Sequence, residues 1–306
     1  MSDKAIAACP CCAGNDTRCL GRLSDADQFA GKTTPRLLHG GQLFICTECH
    51  LKFRHPIEDL ATYAELYDNG ETAIWAGEIV RHDWGQIVRY LGSPPASGCS
   101  VLDFGCNTGG FLGRLSPAYQ RFGIEINQAA AAIATEQQNA KVWSSIDDIP
   151  AAQRFDVIVI ADVVEHVSNP RVLVEQLMGL LSDHGRLVIT TGDAQNSWWN
   201  RFGANWWYCF HPEHIAFISR PWLEYLAANS NIQLVEFKKF RYRELGKIRQ
   251  IIHALFMVLY GYLPSVYLGI RDAWRSLRGR PKSSSVLGNG VSKDHLLIVL
   301  SKKYES

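Results

Sequence analysis

The run Val101-Leu102-Asp103-Phe104-Gly105-Cys106-Asn107-Thr108-Gly109-Gly110-Phe111-Leu112 constrains this chain more than any other. An apolar stretch short enough to be a buried strand ends in an acid and enters a glycine-rich turn that opens a helix. Gly105 and Gly109 let the backbone turn tightly and let a ligand approach with no Cβ in the way. Turns of this kind, at the carboxyl end of a parallel strand, are where doubly wound sheets bind ligands. No Gly-Lys-Ser/Thr is present, which argues against a P-loop, and Asp-x-Gly-x-Asn-x-Gly differs from the dinucleotide fingerprint Gly-x-Gly-x-x-Gly. A loop that does not cradle pyrophosphate and follows an acid suits a nucleoside carrying an amino-acid cation.

The flanking sequence predicts a repeating strand–helix pattern. Val101–Phe104, Phe122–Ile126, Val157–Ala161 and Leu187–Thr190 read as buried strands, and Gln128–Gln138 and Arg171–Leu181 as helices. Asn169 or Ser168 would cap the second helix, with Pro170 in its first turn. Such alternation implies a parallel sheet covered on both faces. A helix over 219–229 with Ser219 as cap, a strand over Gln233–Arg241 and a closing strand over His295–Ser301 complete the pattern. Glu125 ends the second strand about 20 residues beyond the first, where an acid accepts hydrogen bonds from both ribose hydroxyls.

With these residues the chain resembles the class I S-adenosylmethionine-dependent methyltransferases. Val101–Gly110 matches their first motif, Glu125 their ribose acid, and Phe155–Val167 their fourth-strand motif; the match extends over roughly residues 65–302. The resemblance implies an α/β, Rossmann-like sheet of seven strands, carrying a small N-terminal metal module and a helical insertion before the last strand. It implies that Asp103, Gly105, Cys106, Asn107, Gly109, Glu125, Ile126, Ser145, Ile146 and Asp162 hold S-adenosylmethionine. Two positions depart from the family. Asn107 stands where glycine is usual, and Asn tolerates a left-handed backbone better than other side chains. Ser145 stands where relatives often carry an acid toward the adenine, with Asp147 and Asp148 slightly later.

Six of the nine cysteines fall in the first 49 residues. Cys9-x2-Cys12 and Cys46-x2-Cys49 form two knuckles whose four thiolates can close a tetrahedral structural zinc site. Free thiols are the alternative reading; Cys11 and Cys19 are spare, and His50 could replace a ligand. A closed site of four cysteines should hold the segment folded rather than do chemistry. The expected organisation is a zinc module over 1–60, a helical lead-in over 61–97 with Ile74 and Ile79 among its apolar positions, the methyltransferase domain over 98–242 and 291–306, and a basic apolar insertion with linker over 243–290. Pro35, Arg36, His39, Gly40 and Gly41 read as loop. The arrangement is similar to that of some deoxysugar and ribosomal-RNA methyltransferases with a zinc module ahead of the catalytic fold.

Three histidines are candidates for acid–base work. His214, in His211-Pro212-Glu213-His214, is the first choice for general base and His211 the second. His166 ends Asp162-Val163-Val164-Glu165-His166, which resembles the Glu-x-x-Glu-His stretch of ubiquinone-pathway O-methyltransferases, where a divalent cation is implied; the alternative is that Glu165 and His166 orient the loop. Between Trp198 and Phe210, seven aromatics stack on a sugar or aromatic acceptor at the site's rim, sit at a membrane interface, or pack a loop with no other core.

Net charge argues against nucleic acid. The 31 Lys and Arg nearly balance the 30 Asp and Glu, leaving no basic signature. The expected partner is a small-molecule acceptor, a sugar or lipid-linked intermediate; an RNA acceptor and a non-catalytic binding module are the rival readings, and the oligomeric state stays open. The N-terminus shows no apolar secretory run, which reads as cytoplasmic. Residues 251–270 carry no formally charged side chain, while 243–282 hold eight Lys or Arg against two acids, a net of +6 that leaves −5 for the rest. A basic, apolar, tyrosine-bearing insertion suits peripheral contact with an anionic membrane at the inner face, with lid or subunit packing and a true span as alternatives.

Overall fold

The computed structural model describes residues 7–30, 32–68, 81–279 and 291–303. Ile74, Ile79 and the Ser/Gly-rich linker at 282–290 lie outside the described residues.

The N-terminal segment folds as strands β1 (Thr17–Arg22), β2 (Ala26–Phe29), β3 (Lys32–Leu38), β4 (Gln42–Cys46) and β5 (Lys52–His55), followed by helix α1 (Leu60–Asp68). β2 and β3 pair as an isolated hairpin. The segment around Pro35 and Arg36 is therefore a strand rather than the expected loop. A two-stranded ribbon has only edges, and an edge tolerates the missing proline N–H.

Helix α2 (His82–Leu91) leads into the larger layer. There β6 (Cys99–Phe104), β7 (Tyr119–Ile124), α3 (Gln128–Gln138), β8 (Lys141–Trp143), β9 (Phe155–Ala161), α4 (Pro170–Gly179) and β10 (Leu181–Gly192) alternate. Then come α5 (Ser197–Phe202), β11 (Ala216–Phe217), α6 (Arg220–Ala228), β12 (Ile232–Phe240), α7 (Lys247–Tyr262), α8 (Pro264–Leu277) and β13 (His295–Lys302). Seven strands form one sheet in the order β12-β13-β10-β9-β6-β7-β8. The five strands from β10 to β8 are mutually parallel, while β13 runs antiparallel to both β10 and β12. This is the seven-stranded, mainly parallel sheet that the resemblance implies. The short β8 escaped the sequence pattern because three residues carry no period.

Burial on both faces explains the apolar runs. Ile158 and Ile160 of β9 enter one cluster with Leu173, Val174 and Leu177 of α4 and Trp222, Leu223 and Leu226 of α6. Val157 and Val159 enter the opposite cluster with Trp84 and Ile87 of α2 and Ala134 of α3. Asn169 caps α4 through its side chain, with Pro170 in the first turn; Ser219 stands at the α6 N-cap without a side-chain hydrogen bond.

Two junctions tie the N-terminal strands to this layer. β11 pairs with β5, so Ala216 and Phe217 complete the sheet β1-β4-β5-β11. Beneath it, Leu23 and Leu43 pack with Trp199, Trp206, Tyr208, Phe217 and Met257. Trp199, Trp206 and Tyr208 are buried, so much of the aromatic loop is core. The second junction is Arg54 of β5, only 5% exposed. Its guanidinium donates to the carbonyls of Gly40 (2.6 Å), Cys209 (2.8 Å), His211 (3.1 Å) and His214 (3.2 Å). Arg54→Ala should strand four buried carbonyls and cost about 3 kcal/mol. Thermal unfolding should then show Tm lowered by roughly 6–12 °C, with a shift under 2 °C contradicting this role.

Candidate active site

The carboxyl ends of β6, β7 and β9 open onto a cleft of about 310 Å³, at the low end of the 300–1,000 Å³ typical of small-molecule sites. Its floor is the glycine turn. Gly105, Asn107 and Gly109 have φ of 81°, 46° and 78°, so Asn107 does take the left-handed backbone. Its Oδ1 accepts from Thr108 N–H at 2.7 Å, which steadies that conformation. A Cβ at Gly109 would come within 2.7 Å of Gln138 on α3; that glycine is spent on helix packing, and it stands behind the lining rather than in it.

Glu125 sits just past β7 and accepts from Asn107 N–H (2.9 Å) and Asn127 N–H (2.8 Å), one on each carboxylate oxygen. Those bonds hold the carboxylate at the cleft wall. Asp103 is buried and also lines the cleft, and burial pushes its carboxyl up to about 7. Cys106, Ile126 and Asp162 line it too. Ser145 and Ile146 are absent from the lining; Ser145 caps a short 3-10 turn, bonded to Asp148.

The opposite wall comes from residues that the sequence pattern did not single out. Arg81 donates to Asp83 (2.6 and 3.1 Å) and to Asp162 (2.8 Å) and lies 4.8 Å from the Trp84 ring. Asp83 is fully buried, so this guanidinium neutralises a carboxylate that water cannot reach. Burial, reinforced by Asp83, pushes the Asp162 carboxyl up to about 7, and its Oδ1 has no hydrogen-bond partner. Arg81 and Asp162 are 81 positions apart; no local spacing signals such a pair, and the only hint was Asp83 in the first turn of α2.

His166 lines the cleft, with Nδ1 2.8 Å from the Tyr67 hydroxyl of α1. His214 stands edge-on behind it at 5.0 Å between ring centroids, and His211 lies 4.8 Å beyond His214. His214 Nδ1 donates to the Tyr208 carbonyl at 2.9 Å, leaving Nε2 as the acceptor. Burial lowers the basicity of both His166 and His214, so both are neutral at pH 7. His211 is half exposed, 3.5 Å from Glu213. The three imidazoles thus form a row from cleft to surface. Glu165 is buried; it accepts from the Tyr208 hydroxyl and from Thr191 Oγ1 (2.9 Å). Its ligand atom lies within 4.8 Å of those of His166 and His214, whereas Asp162 is turned to Arg81.

Away from the cleft, the four predicted thiols converge. Sγ of Cys9 and Cys49 are 3.5 Å apart, as are those of Cys12 and Cys46. All four lie within 4.8 Å of one another. Four sulfurs about 2.3 Å from one zinc ion would be roughly 3.8 Å apart, so the spacing fits. Cys11 stands outside the group, accepting from Trp222 Nε1 at 3.3 Å, and Cys19 is exposed.

Residues 76–236, more than half of the chain, match the family described as a methyltransferase domain, and the chain belongs to that family. Among curated relatives, a ubiquinone biosynthesis O-methyltransferase of Bradyrhizobium diazoefficiens is 29% identical over 101 residues, covering 31% of this chain and 40% of that protein. A tRNA U34 carboxymethyltransferase of Aeromonas hydrophila is 27% identical over 118 residues, covering 35% and 36%. The chain therefore spans well under half the length of these relatives. Among solved structures, the N-methyltransferase NodS of Bradyrhizobium japonicum is 16% identical with a TM-score of 0.41, covering 73% of this chain and 96% of that one.

Proposed function

We propose that this methyltransferase-family chain binds S-adenosylmethionine in the cleft and moves its methyl group to a hydroxyl of a small-molecule acceptor, a sugar or lipid-linked intermediate. The observation that carries the reading is the set of three carboxylates around the glycine turn. Asp103 is buried and Asp162 half-buried at the ligand's edge, both with raised pKa values, and Asp162 Oδ1 is unpartnered. Such a wall invites a cation, and Glu125 beside it keeps acceptor lone pairs for ribose hydroxyls. The cofactor supplies a methyl group on a positively charged sulfur. Similarity to ubiquinone biosynthesis O-methyltransferases supports oxygen as the methylated atom.

The chain's own part is binding and proton management. Asp103 holds the ammonium end, Glu125 the ribose, and Arg81 fixes Asp162 at the wall. Of the three candidate histidines, only His166 lines the cleft, which supports His166 over His214 as the base. With Nδ1 protonated and donating to Tyr67, His166 Nε2 takes the proton that the acceptor hydroxyl loses as its oxygen attacks.

Titration calorimetry with S-adenosylmethionine tests the binding half. Micromolar affinity at pH 8 should vanish in Glu125→Ala. Because only ionised Asp103 pairs with a cation, affinity should fall about tenfold from pH 8 to pH 6 with proton release on binding. No binding by folded protein would overturn the reading. The catalytic half is read with a radiolabelled-methyl screen of nucleotide-linked and lipid-linked sugars. On the acceptor found, His166→Asn should lower kcat at least about 100-fold with cofactor affinity intact. In the parent protein the acid limb should lie below pH 6.5, since burial depresses His166. Unchanged kcat would move the base elsewhere.

We also assign the four-thiol cluster as a structural zinc site. Its closed set leaves no open coordination position, so its role is to hold the N-terminal strands. Metal analysis should find one zinc per chain, lost in Cys9→Ser with Cys46→Ser, and a chelator should lower Tm. Metal-free protein with an unchanged melt would leave the cysteines as free thiols.

A further inference from the structure

Among the described residues, helices α7 and α8 carry most of the exposed large apolar side chains. Twelve of the seventeen large apolar side chains exposed among the described residues belong to 248–277. Their spacing is regular. Ile248, Ile251, Ile252, Leu255 and Tyr262 recur at three to four residues along α7, on the face opposite Met257 and Tyr260. Those two are buried, and Met257 packs with Trp206 and Tyr208. Val266, Ile270, Trp274 and Leu277 repeat the pattern on α8. α7 thus has an inner side on the protein and α8 rests on α7 through Tyr267, while each keeps an outer apolar stripe that nothing in the chain covers among the described residues.

Charge accompanies the stripes. Lys247 and Arg249 flank Ile248 on either side, and Arg275 and Arg278 bracket Leu277. The two helices pack against each other after the break at Leu263, so these four cations lie at the same end of the hairpin. Between 243 and 279, six Lys or Arg stand against two acids, and one acid, Asp272, is paired with Arg271 at 2.7 Å. No helix among the described residues is long and apolar enough to cross a membrane. The twenty-residue uncharged run is folded in two instead. Apolar stripes bordered by cations, on helices too short to span, are the composition of an element that lies in a lipid–water interface.

We infer that α7 and α8 dock the protein flat on an anionic lipid bilayer, with the stripes in the headgroup–acyl boundary and the cations against lipid phosphates. The placement serves the cleft. β12 ends at Phe240 beside His295, which pairs with Gly192 at the carboxyl end of β10. The hairpin therefore springs from the edge of the sheet where the cleft opens, and docking sets that edge on the membrane. The inference goes beyond methyl transfer and does not depend on it.

Vesicle flotation of the full chain tests this without cofactor. The probes are phosphatidylcholine vesicles and vesicles with added phosphatidylglycerol. Binding should require phosphatidylglycerol and weaken at least tenfold in 0.5 M salt. Ile251→Asp with Leu255→Asp, and separately Lys247→Glu with Arg249→Glu, should each weaken it at least tenfold; unaltered melting and zinc content would show that they remain folded. Absence of binding by the folded parent, or equal binding by either variant, overturns the inference. Dimers that Leu255→Asp dissociates, with no lipid binding, would assign the face to a second copy of the chain.

Discussion

Four backbone carbonyls on one guanidinium decide how this molecule is put together. Arg54 comes from the N-terminal sheet, and three of its acceptors belong to the 209–214 loop of the catalytic layer. A buried arginine is costly unless every donor finds a partner, and here the partners are loop carbonyls that would otherwise be orphaned. The same loop carries His211 and His214 and, through the Tyr208 carbonyl, sets the His214 tautomer. The position of the imidazole row is therefore fixed from outside the catalytic layer. The thiol cluster sits next to the strand that presents Arg54, since Cys46 ends β4 and Cys49 lies in the turn into β5.

The cleft shows a second use of buried charge. Asp83, Asp103 and Asp162 would repel one another in a dry site, and a single arginine serves Asp83 and Asp162. The remaining unmet demand for positive charge is the feature on which the proposed binding of a cationic cofactor rests. Glu165 is handled the opposite way: two hydroxyls hydrogen-bond it, and it serves as a strut between the turn after β9, β10 and the aromatic loop.

What was legible in the sequence follows from the range of each interaction. Strands β6, β7, β9, β10 and β13 announced themselves because both faces are buried, and their apolar runs carry the signal locally. Asp103, Gly105 and Glu125 were legible because strand, turn and acid occur within one unit of chain. The four cysteines were legible from two short spacings. Arg54, Arg81 and Tyr67 were not, because their partners lie 160, 81 and 99 positions away. Nor could the pattern tell which histidine faces the cleft: His166 and His214 sit on different loops, and their order is set by packing on Tyr67 and Tyr208. Pro35 misled for a plainer reason, since a proline marks a loop unless its strand is an edge.

The pairing of β11 with β5 has a consequence for the order in which the chain can mature. The five strands of the N-terminal segment leave the ribosome long before Ala216 and Phe217 are made. Until then the outer edge of β5 is an open row of amide donors and acceptors, and Arg54 has the Gly40 carbonyl but lacks its three acceptors from the 209–214 loop. The segment thus waits, incompletely satisfied, for a late and short piece of sequence. Nascent chains released between these two points would be sticky. A fragment cut at residue 60 leaves both halves with an unfinished sheet, so the boundary that looks natural on paper is a poor place to divide the protein.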